Sequence, residues 1–353
     1  MVWIPLALLL VVPLVVVYFI IIRSMDRYSP APWWQLIVCI LWGAVGAALL
    51  SVGLDLAGQW LIAQMMNQPM DSAPVIHATA TFVAPPVEET AKALGLLAIY
   101  LFTKRRVPES HGPLSGVVYG GIIGLGFTLT EDVIYIVQMS NAQGAGAGAA
   151  LFFVRTILLG FGHASFTAFV GLGFGLWAVM TSGWRWVMPL AGLAVGMAFH
   201  AGRNLFASYL VLKGAGLLVV LLLQLMMFGI LVGLLVWLAR RDRQQVMAGL
   251  QGLIGTLITR AEYDRITSPW MLMPGWTLFT LTGLPGGYQA AREKQTYLYQ
   301  LAFIRQRAAT GLASPVVDPL EAEAIAAIQL ANARGVRLAP EPVPPTMQPP
   351  VMR

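Results

Sequence analysis

About seven apolar runs, each long enough to cross a bilayer, leave this chain little choice of fold. They fall at about 3–22, 34–54, 77–102, 114–138, 150–180, 187–210 and 215–239, against the roughly 20 residues a helix needs to span the hydrocarbon core. The fifth is long enough to be tilted or broken. Composition agrees: the 353 residues are 58% hydrophobic and 11% charged, with a mean hydropathy of +0.72. Soluble domains carry about 25% charged residues. The expected fold class is all-α, a polytopic helical bundle of about seven transmembrane helices with a cytoplasmic helical C-terminal region. Three parts are expected: a membrane bundle over 1–243, a helical region over 244–338 and a Pro-rich disordered tail over 339–353.

Charge placement gives the orientation. The net charge is +6, and its basic residues stand in short loops beside apolar runs, which reads as topology signal and not as a nucleic-acid surface. Arg23 and Arg27 follow the first run, Lys104, Arg105 and Arg106 the third, Arg185 the fifth, and Arg240, Arg241 and Arg243 the seventh. The intervening loops are almost free of Lys and Arg, with Lys213 out of place. The positive-inside rule therefore predicts an outside N-terminus and a cytoplasmic C-terminus. The first run lacks a basic leader and is long enough to span, so it reads as an anchor helix and not as a cleavable signal. Cys39 is the single cysteine, which excludes an internal disulfide. Residues 55–76, with Leu56, Trp60, Leu61, Met65 and Met66, read as an amphipathic loop lying on the outer surface. Past Arg243, helices are expected at about 244–262, 287–309 and 318–334, with an interfacial or packed loop at Trp270 to Thr282.

Against this apolar background, Pro85-Pro86-Val87-Glu88-Glu89-Thr90-Ala91-Lys92 places three ionisable groups inside the third run. Each costs roughly 2.5–3.5 kcal/mol near the bilayer centre unless it finds partners. Candidates exist on other runs: Glu131 and Asp132 on the fourth, Arg155 and His163 on the fifth, His200, Arg203 and Asn204 on the sixth. Counted from the cytoplasmic end of its own run, Glu88 lies about 14 residues in, Glu131 about 17, His163 about 17 and His200 about 14. At about 1.5 Å per residue, all four share a depth of roughly 20–25 Å. Stripes of small residues lead to them: Gly116, Gly120 and Gly124 toward Glu131; His163, Thr167 and Gly171; Gly192, Gly196, His200 and Asn204. Such stripes let membrane helices approach closely. Lys92 lies three and four residues past the glutamates and can neutralise either. A helix restarting at Pro86 would set Glu88 and Glu89 in its first turn, where the dipole favours carboxylates.

These residue types permit metal-assisted hydrolysis. Two histidines and a carboxylate with an open fourth position make a catalytic zinc site, so His163, His200 and Glu131 are the candidate metal ligands. Glu88 or Glu89 would activate water as general base, and Asn204, one turn from His200, would donate to the oxyanion. A metal-free version, in which glutamate and histidine polarise water together, uses the same residues.

Glu88-Glu89-x-x-Lys92, Phe127-x-x-x-Glu131, a histidine on the next helix and His200-x-x-x-Asn204 resemble, in order, the motifs of the PrsW family. That group comprises intramembrane metalloproteases similar to the CAAX prenyl proteases and the bacteriocin-processing enzymes. The resemblance covers roughly residues 30–240 and implies peptide-bond hydrolysis in or beside the membrane, on a membrane-bound protein substrate, in a bacterial cytoplasmic membrane. CAAX proteases carry E-E-x-x-x-R and a histidine where Glu131 stands, so a CAAX activity is not implied. Two other readings compete. Buried Glu, Lys and His also mark ion-coupled transporters, but the internal repeat typical of such carriers is not visible here. A catalytically idle scaffold would tolerate Glu88→Gln.

Overall fold

The computed structural model describes residues 2–26, 28, 30–102, 112–210, 216–268, 285–309 and 317–339. Lys104, Arg105, Arg106, Lys213, the expected loop at Trp270 to Thr282 and the Pro-rich tail from 340 lie outside the described residues. The described secondary structure is all-α. Helix α1 is Trp3–Met25, α2 Trp33–Met66, α3 73–102 and α4 Pro113–Gln143. Helix α5 is split into α5a, 145–158, and α5b, Gly162–Val179; α6 is Met188–Leu210 and α7 Gly216–Gln251. Short helix α8, Arg260–Ile266, precedes α9, Pro285–Ala309, and α10, Val317–Ala333. One compact unit comprises Met1–Asp26 and Pro30–Leu238, a second Arg27–Ser29 and Ala239–Arg353.

Among the described residues, five helical stretches are long and apolar enough to cross a membrane: α1, α2, α4, Ala145–Val179 and Leu217–Gln251. The other two expected spans, α3 and α6, form helices of membrane-crossing length but stand outside the five. Helix α3 holds Glu88, Glu89 and Lys92, and α6 holds His200, Arg203 and Asn204, which dilute their apolar character.

Helix α4 forms the axis of the first unit, with every residue from Pro113 to Thr128 buried. Its glycine stripe meets the stripe of α5b backbone to backbone. A Cβ added at Gly116, Gly120 or Gly124 would collide with the carbonyl oxygens of Gly171, Thr167 and His163 respectively. On the other side of α5b, Gly192 and Gly196 of α6 face the Phe169 and Phe166 carbonyls at 2.5 and 2.8 Å from where their Cβ would stand. The small residues thus bring three helices into direct contact at the level of the two histidines. Gly120→Val is expected to lower stability by at least about 1–3 kcal/mol through overpacking. Thermal unfolding in detergent reads this, and an unchanged midpoint would contradict the backbone contact.

Two expectations about chain geometry are corrected. Residues 55–66 are not loop: α2 continues to Met66 and ends at Asn67, which takes the left-handed conformation (φ 51°). Polar Asp55 and Gln59 hid this continuation from a hydropathy reading. Nor does a helix restart at Pro86. The interruption is a π-helical turn at Thr79–Val83, and the α-helical segment starts at Ala84, so Glu88 and Glu89 stand beyond its first turn. Pro85 and Pro86 offer no N–H to the carbonyls four residues earlier, Thr81 and Phe82, and the widened turn falls on those residues. Further π turns lie at Trp42–Ala47 and Phe153–Leu158. The fifth span is broken at 159–161, where Gly160 passes too close to the Thr156 carbonyl and Tyr18 ring to carry a side chain.

In the second unit, the expected helix at 244–262 is the end of α7, a turn, and the start of α8. Thr259 and Glu262 form a reciprocal capping box that fixes this start. Glu262 also accepts from Lys294 Nζ at 2.6 Å and from the Leu338 amide at 3.0 Å, tying α8, α9 and the chain after α10 together in a buried knot. Burial pushes the Glu262 carboxyl up, but the Lys294 ammonium and the Thr259 and Leu338 amides outweigh it and hold it below the usual carboxylate range. A lowered native pKa gives stability that is present above the unfolded value, about 4.3, and is lost as pH falls through the native one. Lys294→Met should cost this unit about 3–5 kcal/mol at neutral pH. Its deficit relative to the parent should shrink on acidification, as followed by amide exchange of α8–α10.

Candidate active site

Four helices deliver the site. Trp42, on the π turn of α2, donates its indole N–H to the Ala91 carbonyl at 3.0 Å and lies in the space Gly95 leaves open, which fixes the rotation of α3. That rotation buries Glu88, Glu89 and Lys92. Lys92 Nζ stands 2.8 Å from Glu89 Oε1, 3.2 Å from Glu88 Oε2 and 3.0 Å from His163 Nδ1, over the Phe127 ring at 3.8 Å. The two glutamates are held differently. Glu89 also accepts from Thr167 Oγ1 at 2.9 Å, and its Oε1 lies 3.1 Å from His200 Nδ1. Among the described residues, Glu88 Oε2 has only Lys92 at hydrogen-bond distance, with His163 Nδ1 at 3.7 Å and His200 Nε2 at 4.0 Å.

His163 opens α5b just past the break, with its ring perpendicular to that of His200 at a centroid distance of 5.0 Å. Its Nε2 lies 2.6 Å from Glu131 Oε2. Both atoms are buried, and among the described residues neither makes a well-aligned hydrogen bond. Glu131 is ion-paired with Arg155 Nη2 at 2.7 Å, while Arg155 Nε and Thr156 Oγ1 hold Asp132 at 3.0 and 2.8 Å. Arg155 therefore binds the α4 carboxylates and does not snorkel outward. Asn204 donates to the Ala80 carbonyl at 2.9 Å, bracing the π turn of α3, and its Oδ1 faces Arg203 at 3.4 Å. The structure thus brings Glu88, Glu89, Lys92, Glu131, His163 and His200 together, and sets Asn204 at the edge with its amide engaged.

Thr167 shares the stripe of His163, but nothing in its spacing marks it as a partner of Glu89. Asp55 gave no sequence signal either: it rides on the extended α2 with a buried Oδ1 that has no partner among the described residues, within electrostatic reach of Glu131 and Lys92.

The residues fit a divalent cation by donor chemistry. Glu88, Glu89, His163 and His200 each offer a donor atom, and these atoms all lie within 4.8 Å of one another. The unsatisfied His163 Nε2 facing Glu131 adds a donor pair on the far side of the ring. Lys92 already places one positive charge among the first four, so a cation is better received on the Nε2 side.

The family model described as PrsW family intramembrane metalloprotease matches residues 31–228. The chain belongs to this family. Comparison with curated proteins and with solved structures finds no match. The matched region runs from before α2 into α7 and takes in every residue of the site. This member of the PrsW family is an integral membrane protein and a protease, working in lipid on a membrane protein substrate, and its Glu/His group is one that could hold the metal of a metalloprotease.

Proposed function

We propose that the chain is an endopeptidase that hydrolyses a peptide bond in or next to the membrane segment of its substrate, with Glu88 as general base toward water. The observation that carries this reading is the asymmetry between the two glutamates. Glu89 is fixed by Lys92, Thr167 and His200, whereas Glu88 shares only Lys92 and faces both histidines. A base must have an oxygen to offer, and a carboxylate held by three donors has less basicity to give.

His163, His200 and Glu131 would hold zinc, with Glu89 behind His200 Nδ1 in the orienting position such ligands use. When bound, zinc would supply Lewis-acid polarisation of the scissile carbonyl and lower the pKa of its water. Glu88 takes the proton from water and returns it to the leaving amine, and Lys92 supplies the counter-charge to Glu89 beside it. Arg155 supplies the counter-charge to Glu131 in the same way. Asn204 holds α3 in register through Ala80, a positioning role. The outside N-terminus, cytoplasmic C-terminus and bacterial cytoplasmic membrane belong to this reading, supported by the basic loops after the first, fifth and seventh spans.

Metal analysis of purified protein tests the ligand set. The parent should retain about one zinc, and His163→Ala and His200→Ala should each lose it with helical content preserved. Full metal content in both variants would refute the assignment.

A further inference from the structure

Two polar side chains beside the reaction centre have no role in the scheme above. Arg203 of α6 carries a guanidinium at membrane depth, yet among the described residues no carboxylate closes an ion pair with it. Its hydrogen bonds are two long ones of 3.4 Å to the neighbouring Asn204 Oδ1. Gln224 of α7 is 7% exposed, and among the described residues neither its Nε2 nor its Oε1 has a partner. The two side chains converge on Gly162: a Cβ there would meet Arg203 Nη1 at 2.5 Å and Gln224 Oε1 at 3.4 Å. Gly162 immediately precedes His163. On its other side the guanidinium lies over the Phe166 ring at 5.1 Å, and that ring stacks on His200 at 4.8 Å. The pair is therefore one residue from one site histidine and one ring from the other.

Unsatisfied polar groups in a lipid-embedded protein are costly, and a buried amide left without partners loses its full desolvation energy. A substrate creates the matching deficit. A peptide bond inside a membrane helix is closed to attack by its own hydrogen bonds, and unwinding it bares N–H and C=O groups at several kcal/mol each. We propose that Arg203 and Gln224 bind the bared backbone of an unwound substrate segment beside the reaction centre. The Gln224 amide, both donor and acceptor, pairs with a peptide C=O and N–H, and the guanidinium donates to a second carbonyl. Selection then falls on segments that unwind easily, not on side-chain identity. The meaning of this subsite rests on the protease reading, but its test reads binding alone.

The experiment uses full-length Glu88→Gln protein in phosphatidylethanolamine/phosphatidylglycerol vesicles and two fluorescent single-span peptides. One is an unbroken Leu/Ala helix, the other the same helix with Gly-Pro at its centre. The Gly-Pro peptide should bind more tightly. Adding Gln224→Met or Arg203→Met should weaken its binding by about tenfold or more, leave the unbroken peptide unaffected, and Gln224→Met should unfold no earlier than its parent. No preference for the Gly-Pro peptide, equal losses for both peptides, or lost stability with unchanged binding would overturn the proposal. If the binding pattern holds while Glu88→Gln cleaves as fast as the parent, the general-base reading falls and the subsite stands.

Discussion

Glu88→Gln is expected to lower kcat by about 10²–10⁴ with zinc content and folding retained, the loss appropriate to a general base. Glu89→Gln should fail differently. Glu89 is wholly buried and takes Lys92, Thr167 and His200, so its neutralisation removes the stronger half of the Lys92 pairing and the charge behind His200. Its stability should fall by about 3 kcal/mol. Any residual activity should recover on cooling, because the lesion is in the fold and not in proton transfer. Single-turnover cleavage of a membrane reporter peptide, run beside thermal unfolding, separates the two. A stable, inactive Glu89→Gln with an active Glu88→Gln would exchange their roles.

How far such roles are legible in sequence depends on which physical constraint each residue answers to. Depth in the bilayer is a one-dimensional quantity that residue counting reaches, and it placed Glu88, Glu131, His163 and His200 at one level. The structure brings Glu131 and Glu88 to within 2.6 and 3.7 Å of His163. The glycine stripes were legible for the same reason: a fourfold repeat fixes a face, and the faces of α4 and α5b meet carbonyl to glycine. Rotation about each helix axis and the length of irregular turns were not legible. The diproline signalled an interruption, but the widened turn lies upstream at Thr79–Val83, because proline withholds its bond from residues four positions earlier. Asp55 and Gln59 lower the hydropathy of a stretch that stays helical, so hydropathy alone ends the second span before Asp55. Arg203 and Gln224 lie on different helices with no shared motif. Their common focus at Gly162 exists only in three dimensions.

Lys92→Met should give a large loss of stability in the membrane unit. Removing the ammonium leaves Glu88 and Glu89 buried side by side with no cation between them, a loss of about 3–5 kcal/mol in chelator. The same change acts on His163. With Lys92 donating to Nδ1, the ring proton of a neutral imidazole sits on Nε2, facing Glu131, and must leave before Nε2 can take a metal, which weakens metal binding in the parent without abolishing it. Without Lys92 the proton can move to Nδ1, 3.7 Å from Glu88, and Nε2 is freed. Zinc should therefore bind the Lys92→Met protein more tightly than the parent and raise its unfolding midpoint by a larger step, because the added charge replaces the one removed. Unfolding in chelator and in excess zinc, with calorimetric titration of both proteins, measures the two effects. Equal midpoints of variant and parent in chelator would mean that the ammonium does not neutralise the glutamates. A weaker zinc affinity in the variant would mean that Lys92 assists metal binding instead of opposing it.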